Sequence, residues 1–293
     1  MNTPIILDGK KTANLFYEAT KKDIVILNDC GIYPKLTIVT TGDDGASKVY
    51  VNNKVKSAQN LGIETEVLHY DYLTHSDFEA IVSSIKNPTI FQLPINGDID
   101  EYAIATSIND KFDADGFSVN NQYELMIGNV PMQYPCTPLG IMCLLGEYNI
   151  DVAGKHVVIL GRSNIVGKPL AHLMENADAT VTLCHSKTNA KTLCDALWSA
   201  DIIVSAVGKI DTITYESFAH DTVLDNSLKE IINCIIKDKV FIDVGINRDS
   251  NGKLCGDINK EILEHSYAYT PVPGGVGPMT VAMLIGNVIN GYC

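Results

Sequence analysis

The chain lacks several features, and each lack closes a line of inquiry. No apolar run approaches the roughly 18 residues that a bilayer-crossing helix needs. The stretch VAMLIGNVI at 281–289 is interrupted by Gly and Asn, so no membrane span is expected. The opening MNTPIILDGKK has no positive charge ahead of its short apolar patch and no small-residue cleavage site. No secretory signal is therefore predicted, and the expected location is cytoplasmic. Basic residues are scarce: 22 Lys+Arg against 35 Asp+Glu leave a net charge of −13. Such a surface repels phosphate backbones, which excludes general nucleic-acid binding as an expectation while leaving room for a local basic pocket. The eight cysteines contain no C-x-x-C pair and stand beside no clustered histidines. They read as free thiols and small core residues, with no metal site expected.

What is present suits a globular protein. At 46% hydrophobic and 19% charged residues the composition is far from disorder, and 293 residues suggest two packed units. From 36 to 93 the chain alternates strand, helix, strand. LTIVT (36–40) is β-branched and short, and the helical stretch from Ala46 to Leu61 has Gly62 just past its end. TEVLHY (65–70) predicts a second strand. Ser76 and Glu79 predict a capping box before the stripe of Phe78, Ile81, Val82 and Ile85, and PTIFQL (88–93) closes the unit. Thr137-Pro138 predicts an N-cap with Pro at the first position of a helix through Leu145, and the domain junction is placed near there. HVVIL (156–160), TVTLC (180–184), DIIVSAV (201–207) and VFIDVG (240–245) repeat the rhythm. TPVPGGVGPMT (270–280) is expected to be irregular, feeding a final helix from about Val281 to Ile289. The fold class expected is α/β, with two α/β domains, the second Rossmann-like.

The turn after HVVIL reads GRSNIVG, with Gly161, Arg162, Ser163 and Gly167, and a helix follows. Glycines there let a backbone approach a pyrophosphate at a helix N-terminus, although Ser163 occupies the middle glycine's place. A fold preferring NAD would put an acidic residue after the next strand; this chain has His185, Ser186 and Lys187. With Arg162 they suit a 2′-phosphate, so NADP is the expected cofactor. In the first domain Ser47, Tyr50 and Lys54 share one helical face, Gln92 ends a strand, and Asp115 precedes a glycine turn. A lysine, a tyrosine, an amide and a carboxylate converging on one place would make an acid/base site; equally, the stripe would face water and Asp-Gly would be a plain turn.

Taken in order, YVNNK (50–54), QLPI (92–95), DADGF (113–117), PCTPLG (135–140), GRSNIVGKP (161–169), TVTLCHSKT (180–188), AVGK (206–209), IDVGIN (242–247) and TPVPGGVGPMT (270–280) resemble the bifunctional methylenetetrahydrofolate dehydrogenase/methenyltetrahydrofolate cyclohydrolases. The resemblance runs from about residue 5 to 289. It implies a folate-binding catalytic domain of 1–138 plus 273–293, an NADP-binding domain of 139–272, a cleft between them, and a homodimer acting on tetrahydrofolate derivatives. It further implies that Lys54 is the central catalytic group, that Tyr50 stacks near the pterin, and that Gln92 hydrogen-bonds and tunes Lys54. Asp115 would accept paired hydrogen bonds from the pterin N3–H and 2-amino group. Pro273 and Gly277 would line the folate pocket beside Ser47, and Gly161, Arg162, Ser163, Ser186 and Ile246 match the family's dinucleotide contacts. The chain departs from the pattern at Asn96, where the family has Pro, in SVNNQYEL after DADGF, and in a longer segment from Ile210 to Lys239. A monofunctional dehydrogenase and a non-catalytic folate or nucleotide sensor are the competing readings; retention of Lys54 with Gln92 disfavours both.

Overall fold

The structure is a computed structural model that describes residues 3–43, 45–220 and 222–293, with Ala46 described in its backbone only. The chain enters through β1 (Ile5–Ile6) and α1 (Gly9–Asp29), then runs β2 (Lys35–Thr41), α2 (Gly45–Asn60), β3 (Glu64–Tyr70), α3 (His75–Ser84) and β4 (Thr89–Phe91). Helices α4 (Glu101–Ser107), α5 (Val119–Met126) and α6 (Cys136–Glu147) follow. The second succession is β5 (His156–Leu160), α7 (Gly167–Asn176), β6 (Thr180–Cys184), α8 (Ala190–Ser199), β7 (Ile202–Ser205), α9 (Asn226–Ile236) and β8 (Val240–Asp243). A small hairpin of β9 (Asn247–Arg248) and β10 (Leu254–Cys255) precedes α10 (Lys260–Glu264), β11 (Ala268–Tyr269) and α11 (Val276–Asn290).

Two compact units result, one comprising 13–136 with 281–293 and the other 3–12 with 137–280. The first holds a parallel sheet ordered β3-β2-β4. Central β2 is buried almost throughout, whereas edge strand β3 is largely exposed, as a strand paired on one side only would be. Val39, Phe78, Ile81, Phe91 and Ile104 form its core, with the Phe78 and Phe91 rings 5.5 Å apart. The second holds a six-stranded parallel sheet ordered β1-β11-β8-β7-β5-β6. Strands β7 and β8 are buried at every residue, which is why they read as unbroken apolar runs. Their core includes Val158, Leu160, Leu197, Phe218, Ile232 and Phe241. The α/β class and the Rossmann-like second unit are thus observed.

Details differ from expectation where long-range contacts decide. Residues 3–12 and 273–280 group with the six-stranded sheet, because Ile5 and Ile6 pair with Ala268 and Tyr269 and the Lys10 N–H donates to the Gly274 carbonyl at 3.1 Å. Helix α3 is capped by Thr74, whose Oγ1 accepts from the Asp77 N–H at 3.2 Å, so the capping pair lies two residues before the expected Ser76 and Glu79. Helix α2 closes as expected: the Gly62 N–H bonds to Gln59 O and the Ile63 N–H to Ala58 O, with Gly62 at φ +82°. Helix α6 begins one residue before Thr137, which places Pro138 inside its first turn, where its missing N–H is harmless. Helix α11 begins at Val276 rather than Val281, since Pro278 likewise falls within a first turn. Between 210 and 239, Phe218 is buried and its carbonyl accepts from the Trp198 indole at 2.8 Å, while Asp225 caps α9 through the Leu228 N–H. The polar excursion is confined to about 220–225; Asp221 within it lies outside the described residues. Among the described residues no helix is long and apolar enough to cross a membrane.

Candidate functional sites

In the first unit, α2 leaves the carboxyl end of β2 and carries Ser47, Tyr50 and Lys54 on successive turns. Lys54 is buried, and its Nζ donates to Gln92 Oε1 at 3.0 Å. Gln92 follows β4 and donates from its own Nε2 to Leu93 O at 2.9 Å, which turns the amide oxygen toward the lysine. Lys54 Nζ stands 3.9 Å from Asp115 Oδ1, close enough to attract and too far to share a hydrogen bond. Among the described residues no hydrogen bond reaches the Asp115 carboxylate, so its acceptor positions are open to a ligand. Tyr50 is half-exposed, and partial burial pushes its hydroxyl up. Lys54, Gln92 and Asp115 are brought together, with Tyr50 one turn before Lys54 on α2. Ser47 is buried against a cavity of about 260 Å³ lined also by Thr41, Lys48, Val51, Asn52 and His69, which none of the other four enters.

The Asp115 loop is held by residues that local reading passed over. Gly116 has φ +74°, and a Cβ there would lie 2.3 Å from the Tyr134 carbonyl carbon, so only glycine fits. Asp113, buried, accepts from the Ser118 N–H at 2.6 Å and Asn121 Nδ2 at 3.0 Å. Burial pushes its carboxyl up to about 6 despite those bonds. Gln122 Nε2 donates to Gly116 O at 2.7 Å, so the stretch SVNNQYEL, where the chain departs from its family pattern, supplies three of the loop's anchors. From the far end of the chain, Asn287 Nδ2 on α11 donates to Ala114 O at 2.9 Å and Tyr134 O at 2.8 Å. The Cys136 thiol, pushed up by burial and then by Asp115, donates to Ala114 O at 3.2 Å. Asn96, the other departure, ties its side chain to Asp71 O at 2.8 Å and its N–H to Thr41 Oγ1 at 2.6 Å, bracing the turn that enters α2.

In the second unit a pocket of about 580 Å³ opens at the carboxyl ends of β5, β6 and β7, where the strand order reverses about β5. Gly161, Arg162, His185, Ser186, Ala206 and Lys209 are among its walls. A Cβ on Gly161 would lie 2.4 Å from Ala206 O, and one on Gly167 2.0 Å from Gly161 O, so this tight turn tolerates no side chain at either position. Ser163 does not line the pocket; its Oγ accepts from the Val166 and Gly167 N–H groups at 3.2 and 3.4 Å, capping α7 from within the turn. Gly167 and Ile246 also stand off the pocket wall, and Ile246 lies 4.0 Å from where a Cβ of Gly277 would be. Pro273 follows a cis peptide bond at the start of the turn into α11. His185 Nδ1 accepts from the Lys187 N–H at 3.1 Å, and the His185 N–H donates to Thr188 Oγ1 at 2.9 Å, so the turn after β6 is self-braced. Among the described residues no carboxylate pairs with Arg162.

Comparison with known proteins agrees with this geometry. The family model for the tetrahydrofolate dehydrogenase/cyclohydrolase catalytic domain matches residues 7–115, and that for the NAD(P)-binding domain matches 135–231 and 228–293. The bifunctional protein FolD of Ligilactobacillus salivarius is 41% identical over 291 residues, covering 97% of this chain and 95% of its own. The crystal structure of the bifunctional FolD methylenetetrahydrofolate dehydrogenase/cyclohydrolase from Campylobacter jejuni superposes with a TM-score of 0.86 at 35% identity, covering 98% of this chain and 97% of that one. The Trypanosoma brucei enzyme, solved with NADP cofactor and inhibitor, also gives 0.86 at 30% identity, covering 100% and 98%. Both domain models match in order and the likeness extends over nearly the whole length: the chain belongs to the tetrahydrofolate dehydrogenase/cyclohydrolase family.

Proposed function

We propose that the protein oxidises 5,10-methylenetetrahydrofolate to the 5,10-methenyl form with NADP and hydrolyses the product to 10-formyltetrahydrofolate. The observation that carries this reading is the convergence of Lys54 Nζ, Gln92 Oε1 and Asp115 Oδ1 within 3.9 Å of the lysine. Asp115 has free acceptor positions for the N3–H and 2-amino group of a reduced pterin, a two-point pairing that fixes orientation. The half-exposed ring of Tyr50 offers a stacking face one turn before Lys54.

NADP, when bound, supplies the hydride acceptor. The residues of the second pocket fit it: a turn of glycines that excludes Cβ atoms, an unpaired Arg162 and hydroxylic Ser186 for a 2′-phosphate, and no acidic residue after β6. Oxidation asks the protein mainly for alignment, because the folate nitrogens stabilise the developing cation. Hydrolysis asks for proton transfer. Water adds to the methenyl carbon, Lys54 Nζ takes its proton, and the bond to N5 breaks to leave the formyl group on N10, with one proton released overall. Gln92, by accepting from Nζ, aims the lysine at the attacking water. The folate would be held by the unit carrying Lys54 and NADP by the other. A cytoplasmic homodimer completes the reading, supported by eight cysteines left as free thiols and by the exposed edge of β3. The test is an absorbance assay with methylenetetrahydrofolate and NADP that follows NADPH and methenyl-folate separately. Production of NADPH with transient methenyl-folate is expected; NADPH without onward hydrolysis would reduce the protein to a dehydrogenase, and neither signal would refute the reading.

A further inference from the structure

The pocket wall formed by Ala206, Val207 and Lys209 follows β7 as a loop in which the Val207, Gly208 and Lys209 amides turn to one side chain. That side chain is Asp257, fully buried between β10 and α10. Its Oδ2 accepts from Ser205 Oγ at 3.0 Å, the Val207 N–H at 2.9 Å and the Gly208 N–H at 3.0 Å. Its Oδ1 accepts from the Lys209 N–H at 2.9 Å and Asn247 Nδ2 at 2.9 Å. Five donors therefore converge on one carboxylate, three of them successive backbone amides. Asp257 is in turn gripped by Asp243, which ends β8: the Asp257 and Ile258 N–H groups donate to the two Asp243 oxygens at 2.9 Å each. The fit is close on every side. A Cβ on Gly245 would lie 1.9 Å from Asp257 Oδ1, and one on Gly256 would lie 1.9 Å from Asp243 Oδ2.

Successive N–H groups on a curved backbone make a concave site for an anion. In a dinucleotide fold, a loop of that kind at the carboxyl end of a strand would compete for the coenzyme's phosphates. Here its amides are already filled by the chain's own carboxylate. We propose that Asp257 is a positioning residue for the coenzyme: by occupying the 207–209 amides it shapes the pocket wall, presents Lys209, and leaves the phosphates to the 161–167 turn. The inference rests on the reading of this pocket as the NADP site.

The test uses the full-length enzyme and Asp257→Asn, which preserves shape but puts an NH2 where an acceptor stood. The KM for NADP should rise about tenfold or more, while kcat at saturating NADP changes little, the pattern of a lost binding interaction rather than a lost transition-state one. Hydrolysis of methenyltetrahydrofolate, which needs no coenzyme, should persist within about twofold and serves as the folding control. An unchanged KM in a variant that still hydrolyses overturns the proposal, and so does a parallel fall of both activities in a variant whose circular dichroism is native. Should Asp257→Asn fail to fold, Gly208→Ala reads the same quantity. Its Cβ meets no atom, but φ +73° strains it and shifts the amides off the carboxylate, and Gly208 is not on the pocket wall. The same selective rise in KM is expected there; no rise overturns the proposal. Titration of the unmodified enzyme with NADPH separates the two levels. No binding defeats the functional reading and this inference together, whereas normal binding with unaffected variants defeats this inference alone.

Discussion

Each unit holds a pair of buried or half-buried aspartates, and the two pairs are used differently. In the second unit both members are saturated: Asp257 takes five hydrogen bonds, and Asp243 takes the Gly245, Asp257 and Ile258 N–H groups. In the first, Asp113 Oδ2 accepts from the Ser118 N–H and Asn121 Nδ2, while Asp115, two residues on, takes no hydrogen bond on its carboxylate among the described residues and stands 3.9 Å from Lys54 Nζ. A carboxylate whose lone pairs are filled by the backbone builds a loop; one left unfilled at the end of such a loop is available to bind. The scaffolding aspartates carry the desolvation cost, with Asp113 and Asp243 both pushed up to about 6 by burial. Asp115 keeps a lysine and partial solvent beside it.

The sharpest way to break this contrast is at Lys54. Lys54→Met keeps the apolar stem and removes the amine, so hydrolysis should fall by about 10²- to 10⁴-fold, with oxidation reduced less and methenyl-folate accumulating. The ratio of the two rates at saturating folate is the measurement; an unchanged ratio would make Lys54 a positioning group. Next comes the pair itself. Asp113→Ala strands two buried donors and should cost roughly 2–4 kcal/mol in denaturant unfolding, whereas Asp115→Ala should leave stability intact and raise the folate KM about tenfold or more. Equal stability losses would erase the distinction between builder and binder.

The third prediction concerns pH. The Asp113 carboxyl titrates near 6 in the folded protein against 3.8 in the unfolded chain, so the native state holds its proton more tightly. Its contribution to stability is therefore full below pH 4 and is lost as pH rises through about 6, a swing on the order of 3 kcal/mol. Unfolding curves for the unmodified protein and Asp113→Asn should diverge across that window and run parallel above it. The smallest effect is at Arg162. Arg162→Ala should narrow the preference for NADP over NAD by about tenfold, since a charge-assisted bond to the 2′-phosphate is lost. Equal efficiency with both coenzymes before mutation would remove the premise.

Much of the architecture was legible in the residues. Alternating β-branched runs and helical stripes marked β2 to β4 and β5 to β8, and Gly62 marked the end of α2, because these signals act within one turn or one strand. Lys54, Gln92 and Asp115 were found through motifs, and Arg162, His185 and Ser186 through what should follow two strands of a dinucleotide fold. The remaining anchors were hidden for one reason: their partners are distant in sequence. Asp113 carries no local signal of its own; α5 supplies its donors. Asp257 belongs to none of the motifs, and its donors on β7 and the loop after it lie about 50 residues away. Ser163, matched to ligand contacts by the resemblance, also braces its own turn, its Oγ accepting from the Val166 and Gly167 N–H groups. The start of α3 slipped by two residues because Thr74 and Asp77 make as good a cap as Ser76 and Glu79, and only packing chooses.

The clamp that Asn287 places on Ala114 and Tyr134 also sets an order of events during synthesis. Asn287 is added 173 residues after Ala114, a delay of roughly ten to thirty seconds on a translating ribosome. Through that interval β2, α2, β3 and β4 can already pair, so Lys54 and Gln92 can meet while the Asp115 loop still lacks its pin. On the proposed reading, a nascent chain therefore carries the proton-transfer pair before it carries a fixed pterin anchor. Activity should switch on only when the last helix docks, not in proportion to the length of chain made.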